Sequence, residues 1–160
     1  MKRIWITAAL MIATAVASYG QRGMLDNHIG ARFGLGSGVS FQHRFTDEYC
    51  IEVLAIGRYG GLNLTGLYHV HNPFFDVRSI KWYIGGGGHT GIYSQRARNF
   101  ENETGNTITL GLDGIIGLEY YFHDMPLQMS IDWKPAFNLI SSGQTFNEWD
   151  CGALSVRYRF

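Results

Sequence analysis

The fold is decided by the stretch Asp150-Cys151-Gly152-Ala153-Leu154-Ser155-Val156-Arg157-Tyr158-Arg159-Phe160. From Leu154 onward the side chains alternate strictly, with Leu154, Val156, Tyr158 and Phe160 on one face and Ser155, Arg157 and Arg159 on the other. A period of two is that of a β-strand. One apolar and one charged face are typical of a strand between lipid and a polar interior.

The longest alternation runs from Leu127 to Leu139. It exceeds the roughly 9 to 11 residues that a tilted strand needs to cross the hydrocarbon of a membrane. Pro135 cannot donate to a strand ladder, so we expect it near the rim or at a bulge. The preceding alternation, Thr107 to Phe122, is joined to this one by the short turn 123–126.

Similar patterns predict strands at 48–58, 61–71, 79–94, 107–122, 127–140 and 149–160. Residues 27–45 form either one long strand or two short strands hinged at Gly36-Ser37-Gly38. Because bacterial single-chain barrels have even strand numbers, we predict two. The predicted fold is all-β, a closed antiparallel up-and-down transmembrane β-barrel of eight strands. Residues 95–106 and 141–148 are then loops at the outer end, and 72–78 and 123–126 lie at the opposite end.

The composition excludes several classes of protein. Thirteen basic residues balance thirteen acidic ones, so no nucleic-acid partner is expected. The 21 glycines, 14% aromatic residues and three prolines favour closely packed strands. The mean hydropathy of −0.07 is low because barrel strands average an apolar and a polar face. No segment approaches the 18 apolar residues of a spanning helix.

The first 20 residues have the layout of a secretory signal peptide. A basic start, Met1-Lys2-Arg3, precedes an apolar segment from Ile4 to Val16 that is too short to span a membrane. Cleavage after Ala17 and cleavage after Gly20 both fit. We therefore predict a signal peptide at 1–20 and one barrel domain at 21–160.

The chain resembles small, Bacteroidetes-like bacterial outer-membrane β-barrel proteins of the eight-stranded type. The resemblance spans the mature chain and is carried by segments such as 60–68 and 130–139. It implies an outer-membrane location, with lipid, lipopolysaccharide and an extracellular surface ligand as partners. It also implies that the barrel assembly machinery reads Tyr158 and Phe160 as an assembly signal. It says little about activity.

The strand pattern turns many charged side chains inward. The expected lumen charge network is Arg32, Glu52, Arg58, Asp113, Glu119, Asp132, Lys134, Arg157 and Arg159, with Arg44 beside it. Eight strands enclose barely enough space for their own side chains, so we expect an ion-paired plug rather than a pore. Lys134 and Arg157 are expected opposite Asp132 and Glu119. Aromatic side chains expected at the lipid interfaces are Trp82, Tyr120, Phe122, Trp133, Phe137 and Trp149.

His69 and His71 share a strand face and invite a metal-site interpretation. No cysteine or carboxylate holds an obviously complementary position, so we expect hydrogen bonding in the lumen and neither metal nor cofactor. Cys50 and Cys151 should lie at opposite ends of the barrel as free, buried thiols. Gly85-Gly86-Gly87-Gly88 lacks the context of a phosphate loop and should make room for bulky neighbours.

These observations favour a non-enzymatic envelope protein that presents loops outside the cell, in a structural or adhesion role. Three alternatives remain. The first is a narrow pore. The second is a lipid-A-modifying outer-membrane enzyme, for which no His-x-Ser pair is found near His69 or His89. The third is a soluble ligand-binding barrel of the lipocalin type, against which the apolar outer face of 127–139 argues.

Overall fold

The computed structural model describes residues 27–58, 61–75, 77–94, 106–141 and 148–160. Within them the chain forms eight strands. These are β1 (Asn27–Phe33), β2 (Ser37–Arg44), β3 (Tyr49–Arg58), β4 (Gly61–Phe74), β5 (Val77–Ser94), β6 (Asn106–Tyr121), β7 (Leu127–Ser141) and β8 (Glu148–Arg159). The predicted signal peptide lies outside the described residues and stays a prediction. The part of the chain that the structure describes holds no helix long and apolar enough to cross a membrane.

The strands pair in sequence order, each antiparallel to the next, and β8 pairs with β1 to close the barrel. At the seam Ile29 lies opposite Tyr158, and the backbone amide of Phe160 donates to the carbonyl of Asn27 at 2.9 Å. The predicted closed, eight-stranded antiparallel fold is therefore confirmed. We call the end that holds Asn27 and Phe160 the terminal end, and the opposite end the loop end.

The barrel is uneven in height. β1, β2 and β3 have 7, 8 and 10 residues, whereas β5, β6 and β7 have 18, 16 and 15. The connections at the terminal end are residues 45–48, 75–76 and 122–126. Those at the loop end are 34–36, 59–60, 95–105 and 142–147, so the two longest connections share that end.

The region 27–45 is a hairpin, as predicted, but its turn differs from the expected hinge. The turn comprises residues 34–36, and Ser37 and Gly38 already belong to β2. A Cβ at Gly38 would lie 2.1 Å from the carbonyl oxygen of Ala55 on β3. Gly38 therefore permits close strand packing instead of forming the turn.

Pro135 lies beside a register shift, in agreement with its predicted position at a bulge. Between Asp132 and Lys134 of β7, the pairing with β8 shifts. On the β8 side of that shift Gly152 adopts φ +114°, a conformation that residues with a Cβ rarely adopt. The bulge thus places a glycine where the backbone needs one.

Glycines of β5 bring strands into close contact. A Cβ on Gly87 would lie 1.9 Å from the carbonyl oxygen of Gly66, whereas a Cβ on Gly66 itself would meet nothing within 4 Å. We expect Gly87→Ala to lower the free energy of unfolding by about 1–3 kcal/mol through overpacking. The matched change Gly66→Ala should be neutral or slightly stabilising. Urea unfolding in detergent would measure the free energy of unfolding of both variants. Equal losses would contradict the close approach of Gly87 to the backbone of Gly66.

Candidate functional site

The interior of the barrel is mainly polar and tightly filled. Among the described residues the largest fully buried side chains include Arg32, Arg157, Tyr83, Leu54, His28, His69 and His71. Five of the buried apolar side chains in the described part of the chain form a small cluster: Leu54, Ile56, Leu67, Tyr83 and Ile115. The outer surface is apolar. On β6, for example, Leu112 is 55% exposed and Ile116 is 45% exposed. This distribution is the reverse of that in a water-soluble protein.

A bidentate ion pair crosses the middle of the lumen between β1 and β7. Arg32 donates from Nη1 to Asp132 Oδ2 at 2.6 Å and from Nη2 to Asp132 Oδ1 at 2.5 Å. The hydroxyl of Tyr83 also donates to Asp132 Oδ2 at 3.0 Å. Since both charged side chains are almost fully buried, each neutralises a charge that water does not reach.

A second ion pair in the lumen joins β8 to β3. Arg157 donates from Nη2 to Glu52 Oε1 at 2.5 Å. Its Nε donates to the hydroxyl of Ser40 at 2.7 Å and its Nη1 to that of Ser130 at 2.7 Å. Ser40 in turn donates to Glu52 at 2.5 Å. We call these residues, with Arg32, Asp132 and Tyr83, the central network.

Glu119 organises the terminal end of the lumen. It accepts from Arg44 Nη2 at 2.7 Å, from the Tyr121 hydroxyl at 2.5 Å and from Gln128 Nε2 at 2.6 Å. Gln128 also hydrogen-bonds His28. These hydrogen bonds connect β6 to β2 and β7 and, through Gln128, connect β7 to β1.

Asp113 organises the loop end. Lys134 Nζ donates to its Oδ1 at 2.8 Å, and His89 Nδ1 lies 2.8 Å from its Oδ2. The other ring nitrogen of His89 lies 2.8 Å from Asn138 Oδ1. Ion pairs therefore occupy three levels of the lumen.

The structure places the residues of the expected charge network as follows. Arg32, Glu52, Asp113, Glu119, Asp132, Lys134 and Arg157 are buried, and Arg58 and Arg159 are half-buried. The guanidinium of Arg159 lies 5.2 Å from the ring centroid of Tyr121, at the terminal end.

The partners expected first were wrong. Lys134 pairs with Asp113 and Arg157 with Glu52, instead of with Asp132 and Glu119. Glu119 lies opposite Ser130, four residues from Lys134 along β7. Because four residues of strand span about 13 Å, Lys134 is too far from Glu119 to pair with it. Arg157 reaches across the lumen, where sequence proximity gives no guidance.

The aromatic residues occupy different heights on the outer face. Trp82, Tyr120, Trp133, Phe137 and Tyr158 expose 36–46% of their surface, and Phe122 and Phe160 are half-buried. Tyr120 packs edge-on against Phe122 at the terminal end, 5.0 Å between centroids. Trp133 lies near the middle of β7, away from the strand ends where interface residues were expected. The side chain of Trp149 lies outside the described part of the chain, as does that of Cys151.

The histidine pair has neighbours that the sequence interpretation missed. Cys50 lies directly opposite His69 in the β3–β4 ladder, so the statement that no cysteine holds a complementary position was wrong. Glu52 and Glu119 also approach, 3.4 Å from His69 Nε2 and 3.3 Å from His71 Nε2. Cys50 is a free, buried thiol, as predicted. Counting the register back from the β3–β4 turn would have found this pairing.

The glycine run provides space inside the barrel. A Cβ on Gly85 would lie 2.7 Å from the ring of His69, and one on Gly117, across the β5–β6 ladder, would lie 2.6 Å from that of Tyr83. Gly85 therefore accommodates a buried ring, which is the role that the sequence predicted for the run; Gly117, outside the run, does the same for Tyr83. Gly85 to Gly88 lie within β5 and precede no helix, so the context of a phosphate loop is missing.

No family model matches the sequence, and no curated protein matches it. Among solved structures, the fold is similar to the crystal structure of the N-terminal β-barrel domain of Pseudomonas aeruginosa OprF. The TM-score is 0.65, the identity is 15%, and the match covers 84% of this chain and 95% of that one. At this identity the likeness concerns the fold alone, a β-barrel.

Proposed function

We propose that the protein is a non-enzymatic, integral β-barrel protein of the bacterial outer membrane. The observation that carries this proposal is the reversed polarity of the barrel: an apolar outer wall around an ion-paired interior. In water such a wall would be a continuous aggregation surface. In a bilayer it meets lipid, while closure satisfies every strand edge. Lipid and lipopolysaccharide are therefore its first partners.

We place the terminal end in the periplasm and the loop end outside the cell. The two longest connections, 95–105 and 142–147, share the loop end, and outer-membrane barrels place their long loops outside. A rigid barrel would hold these loops in an envelope-structural or adhesion role, with an extracellular surface ligand as partner. Tyr158 and Phe160 would then face the assembly machinery from the periplasmic rim.

The lumen supports a plug more than a pore. Arg32 and Arg157 reach across the interior to Asp132 and Glu52, and all four side chains are at most 4% exposed. A lipid-A-modifying enzyme would need a histidine facing lipid beside a nucleophile. His69, His71 and His89 are instead buried in the interior, and Asp113 and Asn138 hold His89 there.

The membrane proposal is tested by electrophoretic mobility of the envelope-fraction protein, unboiled against boiled in detergent. A closed barrel whose edges are all paired should stay folded in cold detergent and change mobility on boiling. A heat-dependent shift in a detergent-extracted fraction is expected. Protein that is free in the periplasm without detergent and shows no shift would favour the soluble binding barrel.

The plug is tested in planar bilayers. With eight strands and ion pairs at three levels, we expect no discrete conductance steps from the folded protein. A larger porin added to the same bilayer serves as the positive control. Reproducible steps from a preparation that is folded by the mobility criterion would support the narrow pore.

A further inference from the structure

The Cys–His cluster, Cys50 with His69 and His71, brings three metal-ligating side chains together inside the barrel. Cys50 is the second residue of β3, and the two histidines alternate on the inner face of β4. One ligand atom from each residue lies within 4.8 Å of the others. We propose that this cluster binds a thiophilic divalent cation of the zinc class.

The geometry suits such an ion after a small adjustment. Zinc binds thiolate sulfur at about 2.3 Å and imidazole nitrogen at about 2.0–2.1 Å in a tetrahedral arrangement, which separates neighbouring ligand atoms by about 3.3–3.6 Å. From separations of up to 4.8 Å, the three side chains need to close by at most about 1.5 Å to reach this arrangement. Two imidazoles and one thiolate are also a ligand set that zinc prefers. A water or a nearby carboxylate would complete the fourth position.

The buried histidines have few polar partners. His69 and His71 are 0% and 1% exposed, and within the described residues each Nε2 only approaches a carboxylate oxygen, at 3.4 and 3.3 Å, while neither Nδ1 makes a hydrogen bond. Buried polar atoms in folded proteins are nearly always hydrogen-bonded. A bound cation would use one nitrogen of each ring and so account for this cluster of unpartnered atoms.

A carboxylate group lies close to the ring of each histidine. Glu52 Oε2 lies 3.4 Å from His69 Nε2, and Glu119 Oε2 lies 3.3 Å from His71 Nε2. Metal-binding histidines commonly donate their second N–H to a carboxylate, which orients the ring. In this site Nε2 of each ring would face its carboxylate, and Nδ1 would bind the ion.

The surroundings hold the rings in place and balance the charge. The ring of Tyr83 packs against His69 and His71 with centroid distances of 5.0 and 5.2 Å. A buried thiolate is costly, and the positive charge of Arg44, opposite Cys50 in the β2–β3 ladder, would offset part of that cost together with the ion. Glu52 and Glu119 offset the positive charge of Arg44 and of the ion. This inference depends on the lumen geometry and not on where the barrel resides.

The test uses the full mature protein without a histidine tag, reduced and folded in detergent with Co²⁺ as the probe. Because the chain has only two cysteines, the Cys151→Ser variant leaves Cys50 as its single thiol. This variant should show a thiolate-to-cobalt charge-transfer band and the visible absorption of tetrahedral cobalt, both removed by Zn²⁺. Folded Cys151→Ser protein without the charge-transfer band would overturn the proposal.

Further variants locate the ligands. Cys50→Ser and His71→Gln should each abolish the tetrahedral spectrum, whereas His43→Gln, outside the cluster, should retain it. Glu119→Gln should weaken Co²⁺ binding by about 10- to 100-fold, as expected for a residue that orients a ligand. The heat-dependent mobility of each variant shows whether it has folded. A spectrum that survives Cys50→Ser in folded protein would contradict the assignment.

Discussion

Replacing Asp132 with asparagine is expected to lower the free energy of unfolding by about 3–5 kcal/mol, among the largest effects of any single change in this barrel. The variant keeps the shape of the side chain but removes its charge, and an amide N–H₂ then faces an N–H group of Arg32. The guanidinium, only 1% exposed, would lose the carboxylate that neutralises it. Urea unfolding in detergent micelles, followed by tryptophan fluorescence, measures the loss.

Two matched variants separate charge from shape. Asp124→Asn changes an exposed residue of the 122–126 turn and should alter stability by no more than about 0.5 kcal/mol. The double variant Arg32→Met with Asp132→Leu removes both charges and should recover much of the loss, since apolar pairs often replace buried ion pairs well. Equal effects of Asp132→Asn and Asp124→Asn would show that the Arg32–Asp132 ion pair contributes little to the free energy of unfolding.

Leu112→Arg is expected to destabilise the barrel by about 2–4 kcal/mol in lipid vesicles. Leu112 lies near the middle of β6 and exposes 55% of its surface on the outer wall. At the midplane of a bilayer an arginine there must be taken out of water. On a barrel in water the same change would place a charge on the surface and alter stability by no more than about 0.5 kcal/mol.

The matched control is Val77→Arg, an exposed residue at the start of β5, at the terminal end of the barrel. Near an interface the same kind of substitution should cost about 0–1 kcal/mol. Unfolding of both variants in vesicles of one lipid composition gives the comparison. A small effect at both positions would contradict a membrane-embedded wall, whatever the fold.

The sequence predicts the strands well because a barrel wall separates two environments at every residue. In β7, Ile131 and Phe137 face out while Asp132 and Lys134 are buried, as the alternation predicts. The limits of strands are predicted less well, since they depend on pairing with neighbours. β4 continues to Phe74, three residues past its predicted end, because β5 offers Val77 and Lys81 as partners.

The candidate site is harder to predict from sequence for the same geometric reason. Which residues face inward follows from the period of two, but which of them meet across the lumen depends on register around the whole barrel. Arg157 meets Glu52 and not a residue of a neighbouring strand. The pairing of Cys50 with His69 depends on a single hairpin register, so it lay within reach of sequence analysis.

The uneven heights of the strands bear on the order in which the protein assembles. Neighbouring hairpins with short connections, such as β4–β5, bring together residues close in sequence and form long ladders, so they have the smallest entropic barrier to formation. The β1–β8 seam joins the two most distant strands through β1, the shortest in the barrel at seven residues. We therefore expect a curved, open sheet as the assembly precursor, in which the two edge strands, β1 and β8, pair last.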